Sequence, residues 1–236
     1  MFIYAHRGSS GYAPENTMAA FQMAVDMNCP GIELDVQLTK DGHVVICHDE
    51  DVSRTTNGQG FIKDFTLEEL RALDAGSWMD PKFHQEKIPT LVELLDLVKN
   101  TEMIMNFEIK NLPFYYVGIE QKLADAIKEA GMEDQAIISS FDHYALQTIH
   151  KICPELKLGL LFSTRIIDPW IYAQQLPYPV YSLNPDWSFV DSHYVQQSHL
   201  HGYQVLAYTV NERPTYEALR DIGVHGIFSN YPDQFM

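Results

Sequence analysis

Short runs of aliphatic and β-branched residues alternate with longer runs of helical period from one end of the chain to the other. The apolar runs predict strands at Phe2–Ala5, Gly31–Val36, Met103–Ile109, Ala136–Ser139, Leu156–Leu161, Val180–Leu183, Gln204–Tyr208 and Gly226–Phe228. Between them the spacing predicts helices near Asn16–Met27, Leu91–Lys99, Val117–Ala130, Tyr144–His150, Pro169–Gln175, Tyr194–His199 and Thr215–Asp221. Eight strands with intervening helices place the chain in the α/β class. They point to a (β/α)8 TIM barrel, with a doubly wound open sheet as the competitor.

One stretch breaks the alternation. After Asp35 two alternating apolar runs flank Asp41-Gly42, a hairpin signal too short for a parallel crossover. The chain is expected to overshoot the barrel rim at Asp35, turn, and return with His48 beside it. Residues 49 to about 89 then read as a small insertion after the His48 hairpin strand. Within it, Thr66 as N-cap and Glu69 closing a capping box predict one short helix. No linker or low-complexity tract divides the chain, and 236 residues with 46% hydrophobic content suit one core, so residues 1–236 read as a single domain.

Charge narrows the partners. The chain carries 16 Lys+Arg against 32 Asp+Glu, a formal charge of −16. That surface repels nucleic acid and offers no polybasic patch for anionic lipid, so neither a nucleic-acid partner nor stable membrane association is expected. Cys29, Cys47 and Cys153 are far apart and form no C-x-x-C pair, which reads as reduced, partly buried thiols. The start Met1-Phe2-Ile3-Tyr4-Ala5 shows no basic or long apolar leader, and a cytoplasmic location is expected. Nothing in the sequence speaks to the oligomeric state.

Candidate chemistry gathers at predicted strand ends. In Gly31–Leu38, Glu33, Asp35 and Gln37 share one face and Ile32, Leu34, Val36 and Leu38 the other. Both faces of such a strand are normally covered, so two inward carboxylates need a cation. A metal ion is the economical reading, and a salt-bridge network is the alternative. Asn106, Glu108 and Lys110 repeat the pattern on the next strand. Glu108 is either a third ligand or the partner of Lys110, and Lys110 either touches a phosphate or neutralises the site. Carboxylate oxygens favour Mg, Mn or Ca over Zn. His6 and His48 end strands and suit a proton donor–acceptor pair. Arg7 offers a two-pronged clamp for phosphate oxygens. Asn16 reads as a helix N-cap or, with Glu15, as part of the binding site. Tyr208 sits at the presumed mouth as either a substrate-packing ring or a rim tyrosine, and Trp78, Phe114 and Trp187 lie near loops that border the cleft.

These blocks together resemble the glycerophosphodiester phosphodiesterase family. His6-Arg7-Gly8 with Pro14-Glu15-Asn16-Thr17 is similar to its opening signature, and Glu33-Leu34-Asp35-Val36, Lys40-Asp41-Gly42 and His48-Asp49 follow in order. Thr66–Leu70, Ile88–Leu91, Asn106–Lys110 and Ser139–Phe141 resemble its middle blocks, and Thr209-Val210-Asn211 and Gly226-Ile227 its end. The resemblance implies a TIM barrel with an insertion. It implies metal ligation by Glu33, Asp35 and Glu108, with Mg or Ca as the ion. It also implies His6 and His48 as the acid–base pair, with Arg7 and Lys110 on the phosphate. The implied reaction hydrolyses a glycerophosphodiester to an alcohol and sn-glycerol 3-phosphate. Alternatives are a lysophospholipase D acting on acylated diesters, a barrel that binds a phosphodiester without turnover and, more weakly, a metal-dependent sugar-phosphate isomerase. The chain departs from the family where Tyr208 replaces tryptophan and where His225 and Asn230 replace carboxylates. Both replacements lie outside the implied ligand set, so activity is expected to survive them.

Overall fold

A computed structural model describes all 236 residues. In chain order the first half contains β1 (Phe2–His6), α1 (Met18–Asp26), β2 (Gly31–Leu38), β3 (Val44–Ile46), α2 (Leu67–Ala72), α3 (Leu91–Val98), β4 (Ile104–Ile109) and α4 (Ile119–Glu129). The second half contains β5 (Ala136–Ser140), α5 (His143–Ile152), β6 (Lys157–Phe162), α6 (Pro169–Gln174), β7 (Ser182–Pro185), α7 (Ser192–Leu200), β8 (Gln204–Ala207), α8 (Arg213–Asp221) and β9 (Gly226–Ser229). Eight of the strands pair in parallel, and β1 pairs with both β2 and β9, so the sheet closes on itself. The fold is the TIM barrel expected from the alternation, and closure excludes the open sheet.

The period of each segment explains its place. On β2, Ile32, Leu34 and Val36 face outward into one large apolar layer with Phe21, Leu94 and Leu123 of the surrounding helices. The inward residues change character along the barrel axis. Tyr4, Ile137, Leu206 and Phe228 plug its lower part. Glu33, Asn106, Ser139 and Asn184 are buried above them. Acids therefore enter the barrel only above an apolar floor, near the C-terminal ends of the strands.

The hairpin forms as its sequence signals. β3 runs antiparallel to β2, and Gly42 takes φ +80° in the turn, which a side chain would disfavour. The following segment builds its own small core from Val45, Cys47, Val52, Ile62, Leu70, Ala75 and Ile88. Thr66 and Glu69 close the expected capping box on α2. Strand β7 begins two residues later than its apolar run suggests, because the structure extends through Asn184, which accepts a hydrogen bond from Ser182 Oγ inside the barrel (2.7 Å). The three cysteines are free and buried. No helix is long and apolar enough to cross a membrane.

Candidate active site

Register brings the acids together. Glu33 on β2 lies opposite Asn106 on β4, and Asp35 lies opposite Glu108. Glu33, Asp35 and Glu108 are all buried, with one oxygen from each within 4.8 Å of the others. Burial pushes the Glu33 carboxyl well above its ordinary range, and the charges of Asp35 and Glu108 push it further. Burial also raises Glu108, against the pull of Lys110. Asp35 goes the other way. Against burial, Arg7 and Lys110 hold it well below the carboxylate range, and Asn16 Nδ2 donates to its Oδ2 (2.8 Å). Its Oδ1 is buried and accepts no hydrogen bond.

Two cations flank this cluster. Lys110 Nζ donates to Glu108 Oε1 (2.7 Å) and stands 3.7 Å from Asp35 Oδ1. Both sequence readings of Lys110 as a neutralising group and Glu108 as its partner therefore coexist with the acidic cluster. Although burial pulls Lys110 down, Glu108 and Asp35 raise its pKa to about 12, so it stays charged. Arg7 occupies the left-handed region (φ 56°) at the end of β1, which costs a non-glycine residue energy and marks a functional turn. That turn lets its backbone N–H donate to Glu33 Oε2 (3.0 Å). Its guanidinium donates from Nη1 to Glu15 Oε1 (2.8 Å), and its Nε stands 3.4 Å from Asp35 Oδ2. Gly8 completes the turn at φ +77°, where an added Cβ would lie 2.7 Å from the Ala20 backbone.

The two histidines reach the same cleft from different elements. His6 ends β1, and His48 follows β3. His6 Nδ1–H donates to Asn230 Oδ1 (2.7 Å), which leaves Nε2 toward the cleft, 3.8 Å from Glu33 Oε2. Burial, then Arg7, lowers the His6 pKa to about 3, so the ring is neutral at pH 7. His48 Nδ1–H donates to Asp49 Oδ1 (2.6 Å), and that bond holds the Asp49 carboxyl well below its usual range. Both rings thus have a fixed tautomer with Nε2 free.

A cleft of about 180 Å³ opens among His6, Arg7, Glu33, His48 and Glu108. Asn106 and Ser139 form part of its lining, and Phe141, Leu161, Tyr208 and Phe228 form its apolar wall. Tyr208 OH donates to the Phe162 carbonyl (2.7 Å), fixing the ring at the wall. His6, Arg7, Glu33, His48, Glu108 and Tyr208 line this cleft, and Asp35 and Lys110 adjoin it through Arg7 and Glu108; the other candidates fall elsewhere. Thr17, not Asn16, caps α1, because Asn16 turns inward to Asp35. Trp78, Phe114 and Trp187 do not line the cleft. Both tryptophans are exposed, and Phe114 packs edge-on against Phe61. Of the two end-block departures, Asn230 holds His6, while His225 lies at the opposite end of β9. The separation of 224 residues hides the Asn230 contact from any local pattern.

Comparison with known proteins agrees with this geometry. Residues 6–234 match the model of the Glycerophosphoryl diester phosphodiesterase family. A glycerophosphodiester phosphodiesterase from Caldanaerobacter subterraneus subsp. tengcongensis is 46% identical, covering 98% of this chain and 94% of that one. Another from Bacillus altitudinis is 39% identical over 98% and 95%. The structure of an Oleispira antarctica phosphodiesterase in complex with the product sn-glycerol-3-phosphate superposes with a TM-score of 0.89 at 34% identity, covering all of this chain and 95% of that one. With the fold, the ordered motifs and relatives of this identity along almost its whole length in agreement, the chain belongs to the glycerophosphoryl diester phosphodiesterase family.

Proposed function

We propose that this protein hydrolyses glycerophosphodiesters to an alcohol and sn-glycerol 3-phosphate. The observation that carries the reading is that two imidazoles, Arg7, Glu33 and Glu108 line one cleft, with Asp35 and Lys110 packed against Arg7 and Glu108 beside it. We read residues 1–236 as one catalytic domain, with the segment between β3 and α3 capping one side of the mouth.

Glu33, Asp35 and Glu108 fit a divalent cation. Their oxygens are close enough to share one, the donors are hard, and the unpartnered buried Oδ1 of Asp35 is an acceptor that such an ion satisfies. Bound there, Mg, Ca or Mn supplies Lewis-acid polarisation of the phosphoryl group. Arg7 and Lys110 bind and orient the charged phosphoryl oxygens. Asn106 Nδ2, which has no protein partner, offers a further donor from the lining. One of His6 and His48 accepts the proton of the attacking oxygen at a bare Nε2, and the other, entering the step with both ring nitrogens protonated, donates its Nε2 proton to the departing alkoxide. The attacker is water or the glycerol 2-hydroxyl. With water, one P–O bond forms as the P–O bond to the alcohol breaks; with the 2-hydroxyl, that exchange leaves a cyclic phosphate whose new P–O bond water then replaces, so either route consumes one water overall.

The test is release of sn-glycerol 3-phosphate from glycerophosphocholine and glycerophosphoethanolamine with Mg, Mn or Ca and with chelator. Chelation is expected to abolish release; undiminished release in chelator would refute the metal assignment. Because Glu33 and Glu108 hold protons more tightly than free carboxylates, metal binding is expected to displace protons and to strengthen as pH rises. Calorimetry in two buffers of different ionisation heat reads this, and identical heats would count against the site. At the wall, Tyr208→Ala is expected to raise KM for glycerophosphocholine about tenfold, roughly 1.4 kcal/mol, with a smaller change in kcat. A change confined to kcat would remove Tyr208 from substrate binding.

A further inference from the structure

Arg54 lies on a single helical turn, Val52–Arg54, in the segment between β3 and α3, outside the cleft lining. Its guanidinium is committed to two carboxylates. Nε and Nη2 donate to the two oxygens of Asp49 (2.5 and 3.2 Å), and Nη1 and Nη2 donate to the two oxygens of Glu15 (2.8 and 2.7 Å). Each carboxylate then holds a residue of the cleft. Asp49 accepts the His48 Nδ1–H (2.6 Å), and Glu15 accepts Arg7 Nη1 (2.8 Å).

We propose that Arg54 is a positioning residue that fixes His48 and Arg7 together, so that the proton-transfer ring and the phosphate clamp share one support. The planar fork of arginine can pair with both oxygens of each of two carboxylates at once, which the three donors of a single ammonium cannot. Without the fork, Asp49 and Glu15 are two anions facing each other with no charge between them. Asp49 then turns toward water and releases the His48 ring, and Glu15 loses one of its two guanidinium partners. Arg54 is about half exposed, so its pairs add little to stability by themselves. Their consequence is geometric, and small displacements of reacting groups cost rate steeply.

This inference rests on the proposed use of His48 and Arg7 in turnover, so its test has a readout besides activity. Arg54→Met, Arg54→Lys and Arg54→Ala are compared with the wild type by steady-state kinetics and by nitrogen NMR of the imidazole groups. Arg54→Met is expected to lower kcat/KM by about 10- to 100-fold, the range that misplacement of a reacting group produces. Arg54→Lys is expected to recover only part of that. Added guanidinium ion is expected to restore Arg54→Ala and to leave the wild type unchanged. The His48 Nδ1–H resonance is expected to shift in Arg54→Met. Wild-type kinetics in Arg54→Met, or slow turnover with an unaltered His48 Nδ1–H resonance and no guanidinium rescue, would overturn the proposal. A wild type that never releases sn-glycerol 3-phosphate would instead defeat the proposed function, and the His48 resonance would still decide whether Arg54 positions the ring.

Discussion

His48→Ala is expected to slow release of sn-glycerol 3-phosphate from glycerophosphocholine by roughly 10²- to 10⁴-fold, and His6→Ala by a similar factor. Each substitution removes a ring whose Nδ1 is tied back by a neighbour and whose Nε2 stands free at the cleft. The two rings serve one proton itinerary, in which one must take a proton for the other's donation to complete the reaction. The double variant is therefore expected to fall little below either single one, because groups acting as a unit are far from additive. Steady-state kcat measured on folded, metal-loaded protein decides the matter. A His48→Ala protein turning over at the wild-type rate would end its assignment, and multiplicative losses in the double variant would mean that the rings act in separate steps.

Asp35→Asn and Glu33→Gln are both expected to abolish metal-dependent turnover while moving stability in opposite directions. The opposition follows from their surroundings. Asp35 has a lowered pKa in the fold, set against burial by Arg7 and Lys110. Its stabilisation is therefore full above the ordinary aspartate range and is lost as pH falls through the lowered value. Glu33 has a raised pKa, from burial and from the charges of Asp35 and Glu108. Its contribution is full in acid and is lost as pH rises through the raised value, so above the ordinary glutamate range its ionisation works against the metal-free fold. Asp35→Asn is expected to cost about 3–5 kcal/mol, the penalty for breaking a buried ion pair. In a protein of this size that lowers Tm by roughly 6–20 °C. Glu33→Gln keeps an oxygen for the Arg7 N–H and is expected to raise Tm of the metal-free protein. Thermal scans at pH 7 in chelator read both shifts, and a destabilised Glu33→Gln protein would show that this cluster is held together by something other than a metal.

The regular parts of the molecule were legible because they obey simple periods. Alternation along Gly31–Leu38 by itself puts three polar side chains on the inward face of the barrel, and the capping box at Thr66 and Glu69 is a local contact that sequence spacing can express. The acidic cluster was legible for a related reason. Buried carboxylates on adjacent inward-facing strands demand a counter-charge wherever they occur. What escaped depends on tertiary register. Asn16 and Thr17 are both good capping residues, and only the position of Asp35 decides that Asn16 faces inward while Thr17 caps α1. Loop aromatics such as Trp78 and Trp187 carry no periodic signal for the direction they face. Asn230 reaches His6 only because β9 pairs with β1, a contact no local window contains.

That pairing bears on how the protein is made. Both histidines, all three acids and both cations precede β5 in chain order. The strand that seals the barrel beside β1, and the amide that holds His6, come only after β8. Until they arrive β1 has an open edge and the His6 ring has no anchor. The growing chain therefore carries these side chains well before it can assemble them, and the site's geometry waits for the strand that closes the barrel.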